Sequence, residues 1–270
     1  MERNLKEKEW TFFNSFQDVF SFFFLLGRKA KKTKVFYLLS FMPVAMALMV
    51  QFGQIFYSRN SLSGPYVFSN IIITFYLQFI ILILALFFGT SVCSEELEGK
   101  TLSYLTTRPI SKSSFILGKY AAYSLLMVLM TVVGVVLCFL ILNFNQLGRF
   151  SLYKVLLKDT AVLVLGLLCY TALFTFIGTF IKRSIMFGLI FSFGWENVIQ
   201  YFPGSTQRFA IVHYLKSLLP SPTSGRFSFL LFRLEPTPPV LAVVILLGIT
   251  ALFLGLACLV FSYKEYILEE

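Results

Sequence analysis

The chain has 270 residues, of which 57% are apolar, 18% aromatic and only 13% charged. Soluble domains carry about 25% charged residues, so this composition excludes an ordinary soluble enzyme, a disordered chain and a secreted disulfide scaffold, and leaves a polytopic α-helical membrane protein. The formal charge is +10, from 23 Lys and Arg against 13 Asp and Glu; the basic residues border apolar runs, so anionic lipid headgroups suit them better than nucleic acid.

Residues 10–27 predict an amphipathic helix. Trp10, Phe13, Phe16, Phe20 and Phe23 recur at helical spacing, with Phe12 and Val19 close by, while Asn14, Gln17, Asp18 and Ser21 fall on the other side. Such a helix lies in the membrane plane. The basic cluster Arg28, Lys29, Lys31, Lys32 and Lys34 would hold it to an anionic inner leaflet. It reads equally as a connecting helix beside the membrane core or as a plain anchor. Arg28-Lys29 stands where a signal peptide would need small residues. Residues 1–34 are therefore expected to be a cytoplasmic tail with an in-plane helix.

A span needs about 20 mostly apolar residues. Six runs qualify: Val35–Tyr57, Phe68–Val92, Phe115–Leu142, Val155–Ile181, Ile185–Pro203 and Pro239–Tyr263. With the N-terminus inside, fifteen Lys and Arg lie on the cytoplasmic face and eight on the other. The bias is strongest beside the first span, so the orientation is N-in/C-in. The expected fold is all-α, with six transmembrane helices over 35–263, a cytoplasmic loop at 93–114, an outer loop at 204–238 and a cytoplasmic tail at 264–270. Long loops usually carry function. No internal repeat is evident.

The first long loop nearly spells a phosphate-binding motif in Cys93–Thr101, but Ser94 stands where the first glycine belongs, and a membrane span precedes it instead of a buried strand. Read without templates, Ser94 caps a short helix with Glu95 and Glu96 in its first turn. Leu97, Thr101, Leu102, Tyr104 and Leu105 form an apolar strip, Arg108-Pro109 stops it, and Ser111 caps the next helix. A short amphipathic helix of this kind suits a groove on a cytoplasmic partner.

The run Glu95-Glu96-Leu97-Glu98-Gly99-Lys100-Thr101-Leu102-Ser103-Tyr104-Leu105, then Arg108-Pro109-Ile110-Ser111-Lys112 and Leu117-Gly118-Lys119, resembles the signature of type-2 ABC exporter permeases. Lys100, between the glycine and the threonine, departs from that pattern. Trp195-Glu196, Pro203-Gly204, Ile211, Tyr214 and Leu215 are similar to the fifth span and outer helices of the same family. The resemblance implies that the loop between spans two and three is a coupling helix docked into a separate ABC ATPase. Glu95, Glu96, Glu98, Gly99, Thr101, Leu102, Leu105, Arg108 and Pro109 would then form the coupling site. It also implies an ATPase dimer that binds ATP and Mg, no cofactor in this chain, a second permease copy (identical or sister) and a bacterial or archaeal inner membrane. The chain itself would be no enzyme. The alternative from composition alone is a stand-alone channel or an intramembrane enzyme.

Among ionisable groups in the spans, Glu196 is the acid deepest in an apolar run. A charge there should face protein or water, with Arg208, His213 or a helix end as partner. Glu196, Trp195 and His213 are candidates for a gate or translocation path; the structural reading of Glu196, an ion pair or a hydrogen bond to backbone at the outer end of the fifth span, is the stronger one. Lys154, Lys158 and Asp159 read as a solvated interfacial face, and His213 as an interfacial histidine. Gln51, Gln78 and Pro43 read as packing devices. Cys93, Cys138, Cys169 and Cys258 are isolated and His213 is the only histidine, so no metal site is expected. Spans rich in Phe, Leu and Ile would suit a lipid-like cargo, but nearly every membrane protein shares that bias, so the substrate stays open.

Overall fold

The computed structural model describes residues 12–56, 64–98, 111–146, 148–181, 183–199, 205–219 and 237–263. Those residues are almost all helical, with no strand among them. In chain order they form α1 (Phe12–Lys29), α2 (Lys31–Ser40), α3 (Met42–Phe56), α4 (Gly64–Ile71), α5 (Ile81–Glu98), α6 (Lys112–Leu142), α7 (Phe150–Phe180), α8 (Ser184–Leu189), α9 (Ile211–Leu218) and α10 (Pro239–Tyr263). A π-helical segment, Ile72–Ile80, joins α4 to α5, and a second, Ile190–Glu196, continues α8.

Among the described residues five stretches are long and apolar enough to cross a membrane: Lys31–Gly53, Gly64–Glu96, Lys112–Leu142, Phe150–Phe180 and Pro239–Tyr263. Each coincides with a predicted span, and most run further at the cytoplasmic or outer end. The predicted fifth span is different. Ser184–Glu196 is a shorter apolar helix, under about 20 Å at 1.5 Å per residue against a hydrocarbon core of about 30 Å. The first span is broken at Phe41, between α2 and α3. Pro43 explains the break, because it has no N–H and its ring crowds the carbonyl of Leu39.

The core is the packing of α5 on α7, with α6 and α10 beside them. The closest approach is made by glycine. A Cβ on Gly178 would sit 2.8 Å from the Thr90 carbonyl oxygen, and one on Gly89 would sit 2.9 Å from that of Thr171. In lipid, where hydrocarbon gives helices no reason to associate, such small-residue contacts let backbones approach. Helix α1 lies along α6, burying Ser15, Val19 and Phe23 and leaving Gln17, Asp18, Ser21, Phe22, Leu25 and Leu26 exposed. Gly118 on α6 admits Val19, and Gly27 on α1 admits Leu126. The amphipathic helix is thus built onto the core along one side. Helix α10, by contrast, exposes Val240, Leu241, Val244, Leu247, Leu252, Leu256 and Leu259, a surface suited to acyl chains.

Candidate functional site

Two groups of polar side chains are built into this apolar frame. The first lies where α5 ends and α6 begins. Ser94 does not open a new helix: α5 continues to Glu98, and the Ser94 hydroxyl donates back to the carbonyl of Thr90 at 2.9 Å. The expected cap is corrected accordingly, and the loop starts after Glu98 instead of at Cys93. The reason is that Cys93 and Ser94 are buried, so the hydroxyl finds its acceptor one turn back. Glu95 and Glu96 therefore stand in the last turns of the second span. Ser111 does cap α6, accepting from the Ser114 amide at 3.3 Å.

Lys119 is the centre of this group. It is 0% exposed, and its Nζ donates to Glu96 Oε1 at 3.0 Å and lies 3.8 Å from Glu95 Oε2. The ammonium also faces the rings of Phe23 at 4.7 Å, Tyr123 at 5.6 Å and Phe115 at 5.8 Å. Lys32 reaches in from α2 to pair with Glu95 and to cover the rings of Tyr123 and Phe88. The Tyr123 hydroxyl donates to Glu95 Oε2 at 3.3 Å. Two ammonium groups and two carboxylates balance, and aromatic faces replace the water the cations have lost. Of the basic cluster, Arg28, Lys29, Lys31 and Lys34 are exposed, and Lys32 alone turns inward. Gly99, Thr101, Leu102, Leu105, Arg108 and Pro109 lie outside the described residues, as does the side chain of Glu98.

The second group lies within the membrane half of the molecule. Glu196 ends the π-helical segment after α8 and is buried. Its carboxylate accepts from the amides of Ile211 at 3.1 Å and Val212 at 3.3 Å, the first two residues of α9, and from the Tyr170 hydroxyl at 3.0 Å. Of the partners considered for Glu196, the helix end is the one these contacts supply. An anion at a helix N-terminus meets unpaired N–H donors and the positive end of the dipole. Tyr170 is ten residues before the end of α7, so Glu196 sits about 15 Å along α7 from that end. Leu215 of α9 packs on Gly166, one turn further along. Ser184–Glu196 thus ends, and α9 starts, beside the middle of α7. Beside it, Gln78 of the first π-helical segment donates to Asn197 Oδ1 at 3.1 Å. Interrupted helices in an apolar surround are tolerated where protein or a water-filled cavity satisfies the freed backbone groups, and Glu196 does so for the Ile211 and Val212 amides.

Trp195 is half exposed, so it points away from the carboxylate next to it in sequence. His213 is not the interfacial residue the sequence suggested. It is buried, with Nε2 3.1 Å from Thr237 Oγ1, and the Thr237 amide donates to Ser217 Oγ at 3.3 Å, which fastens α9 to the start of α10. Asp159 is a further correction. Lys154 and Lys158 are exposed, but Asp159 is 0% exposed and neither of its carboxyl oxygens has a hydrogen-bond partner among the described residues. A buried polar group without a partner costs about 1–3 kcal/mol. Asp159→Val is therefore expected to raise the thermal unfolding midpoint in detergent; an unchanged or lower midpoint would show that the carboxyl is satisfied or useful.

The sequence reading missed the partnership of Lys119 with Glu96, and Tyr170 and Asn197 altogether; Gln78, read as a packing device, joins two helical segments through Asn197. Lys119 was legible: a lysine inside an apolar run should be paired, which is the argument applied to Glu196. Among the described residues no group of His, Cys, Asp and Glu is placed to hold a metal ion.

A family model described as ABC-2 family transporter protein matches residues 28–195. No curated protein matches the chain.

Proposed function

Since the chain belongs to the ABC-2 family of transporter proteins, a membrane transport component and not itself a catalyst, we propose that it is the permease subunit of an ATP-driven exporter. A separate ABC ATPase dimer would bind ATP and Mg and dock on the stretch between α5 and α6. The observation that carries this reading is the construction around that stretch. Its two stems are tied to each other by Glu96 and Lys119, so a force on residues 99–110 reaches two spans at once. Closure of the ATPase pair would shift the spans as a rigid body, and cargo would leave the cytoplasm or the inner leaflet along a path between two permease copies.

In this reading the membrane domain has six crossings, N-in and C-in. Lys112 at the start of α6 donates to the Ser262 carbonyl near the end of α10 at 3.2 Å, which supports placing both on one face. Helix α7 runs antiparallel to α6 and would end on that face too, which supports a further crossing between α7 and α10, one that Ser184–Glu196 and α9 would share. The exposed Phe22, Leu25 and Leu26 beside Arg28, Lys29, Lys31 and Lys34 support an in-plane α1 on an anionic inner leaflet, at about 1 kcal/mol per basic residue. A bacterial or archaeal inner membrane is the setting this arrangement suits. Glu95, Glu96 and Glu98 would act at the root of the coupling stretch, and Gly99, Thr101, Leu102, Leu105, Arg108 and Pro109 within it.

The test is purification of the tagged chain from its own membranes in mild detergent, with ATP hydrolysis and the identity of co-eluting subunits as readouts. A stoichiometric ABC ATPase is expected, and Leu102→Asp with Leu105→Asp should reduce its recovery at least about tenfold, since a charge on each apolar anchor opposes docking in a groove. A chain that elutes folded and without any ATPase would overturn the reading.

A further inference from the structure

The group around Lys119 is more than a local ion pair. Glu96 stands two residues before Glu98, the last described residue ahead of the coupling stretch, and Lys119 stands eight residues after Ser111, which follows it. Their hydrogen bond therefore closes the stretch across its base. The same ammonium rests on Phe23 of α1, and Glu95, beside Glu96, takes Lys32 of α2. Four helices meet in one fully buried cation and its partners.

Burying ion pairs is a weak way to gain stability: apolar replacements of similar volume are often neutral or stabilising. A lysine held at 0% exposure by two carboxylates and three rings is better explained by the geometry it enforces. Carboxylate and ammonium fix direction and register, which interchangeable apolar contacts do not.

We propose that Lys119 is a positioning residue for energy coupling. Through Glu96 and Glu95 it pins both stems of the coupling stretch, and through Phe23 and Lys32 it fastens α1 and α2 to them, so that the amphipathic helix moves with the stretch as one body. This rests on the docking reading above. The end of α10, a helix that packs chiefly on α7 and touches the start of α6 through Phe115–Phe261 ring stacking at 6.1 Å and the Lys112 bond, is the reference point.

The experiment places spin labels at Gln17→Cys on α1 and Tyr263→Cys on α10, both exposed positions, in a Cys258→Ser background. The complex with its ATPase is reconstituted in nanodiscs, and the label distance is measured without nucleotide and with ATP plus vanadate. The wild-type sequence should show a nucleotide-dependent shift. The triple variant Lys119→Met, Glu95→Gln and Glu96→Gln leaves no fully buried charge unpaired, Lys32 being partly exposed; in the fraction that retains the ATPase, the shift should be reduced at least threefold. Lys32→Met, which removes a partly exposed side chain and leaves Lys119 paired, should at least halve the shift and decides the matter if the triple variant does not fold. A shift of wild-type size in either folded variant overturns the proposal. A wild-type chain that carries no ATPase overturns instead the docking reading beneath it.

Discussion

Glu196→Ala is expected to destabilise the protein by about 3–5 kcal/mol, with the damage centred on α9. The carboxylate accepts three hydrogen bonds, from the Ile211 and Val212 amides and the Tyr170 hydroxyl. Truncation leaves three buried donors with nothing to replace them, at about 1–3 kcal/mol each before relaxation. Water cannot substitute cheaply, because the site is buried beside the middle of α7. Glu196→Gln keeps one acceptor oxygen and should cost less than half as much. Tyr170→Phe removes one donor together with its need, and should cost about 1 kcal/mol. Two measurements check this. Thermal unfolding in detergent should rank Ala well below Gln and Phe, and amide exchange at Ile211 and Val212 should accelerate first in the Ala variant. Unchanged exchange at those amides would remove the capping role and return Glu196 to the gate candidates.

The second large effect is expected at the α5–α7 crossing. Gly178→Ala places a methyl 2.8 Å from the Thr90 carbonyl oxygen and 3.1 Å from its Cα. These are backbone atoms and cannot swing aside, so the helices must separate. Overpacking of this kind costs about 1–3 kcal/mol; Gly178→Leu, with three more carbons to place, should exceed that range and open the core between the two spans. The control lies on α10, where a Cβ on Gly248 or Gly255 meets nothing within 4 Å. Gly255→Leu should stay within about 0.5 kcal/mol. Thermal midpoints and size-exclusion profiles of the three variants separate these outcomes, and equal behaviour of Gly178→Leu and Gly255→Leu would show that the crossing is looser than its geometry implies.

Hydropathy located the helices that face lipid and stopped where lipid stops. It placed Pro239–Tyr263 to the residue, because α10 is apolar on every side. It cut the second span at Val92, whereas α5 runs on to Glu98, because the last turns face protein and can carry Ser94, Glu95 and Glu96. Serine is as good an acceptor-seeking residue inside a buried helix as it is a cap, and local sequence does not separate the two cases. The fifth run is apolar enough to span, yet hydropathy says nothing about a helix that ends at Glu196, where a second helix, α9, is received. Glu196 announced that its environment was special; Tyr170 and the amides that satisfy it are 26, 15 and 16 residues away, and no pattern in one sequence joins them. The 28–195 match and the resemblance of the Glu95–Lys119 run agree on the family. Sequence places Glu95 and Glu96 at a surface for a partner; the structure adds that both also pair with lysine, Glu96 with Lys119 and Glu95 with Lys32.

Helix lengths in this molecule are unequal, and that decides which part of it feels the bilayer. At 31 residues each, α6 and α7 are about 46 Å long; they meet a thicker or thinner membrane by tilting, at a cost of fractions of a kcal/mol per Å. The helix Ser184–Glu196 has no such reserve. It cannot reach across by tilting less, so any change in hydrocarbon thickness falls on the junction where Glu196 receives α9. Hydrophobic mismatch is therefore expected to load the contact between Glu196 and α9, and stability in bilayers of different acyl-chain length would measure it.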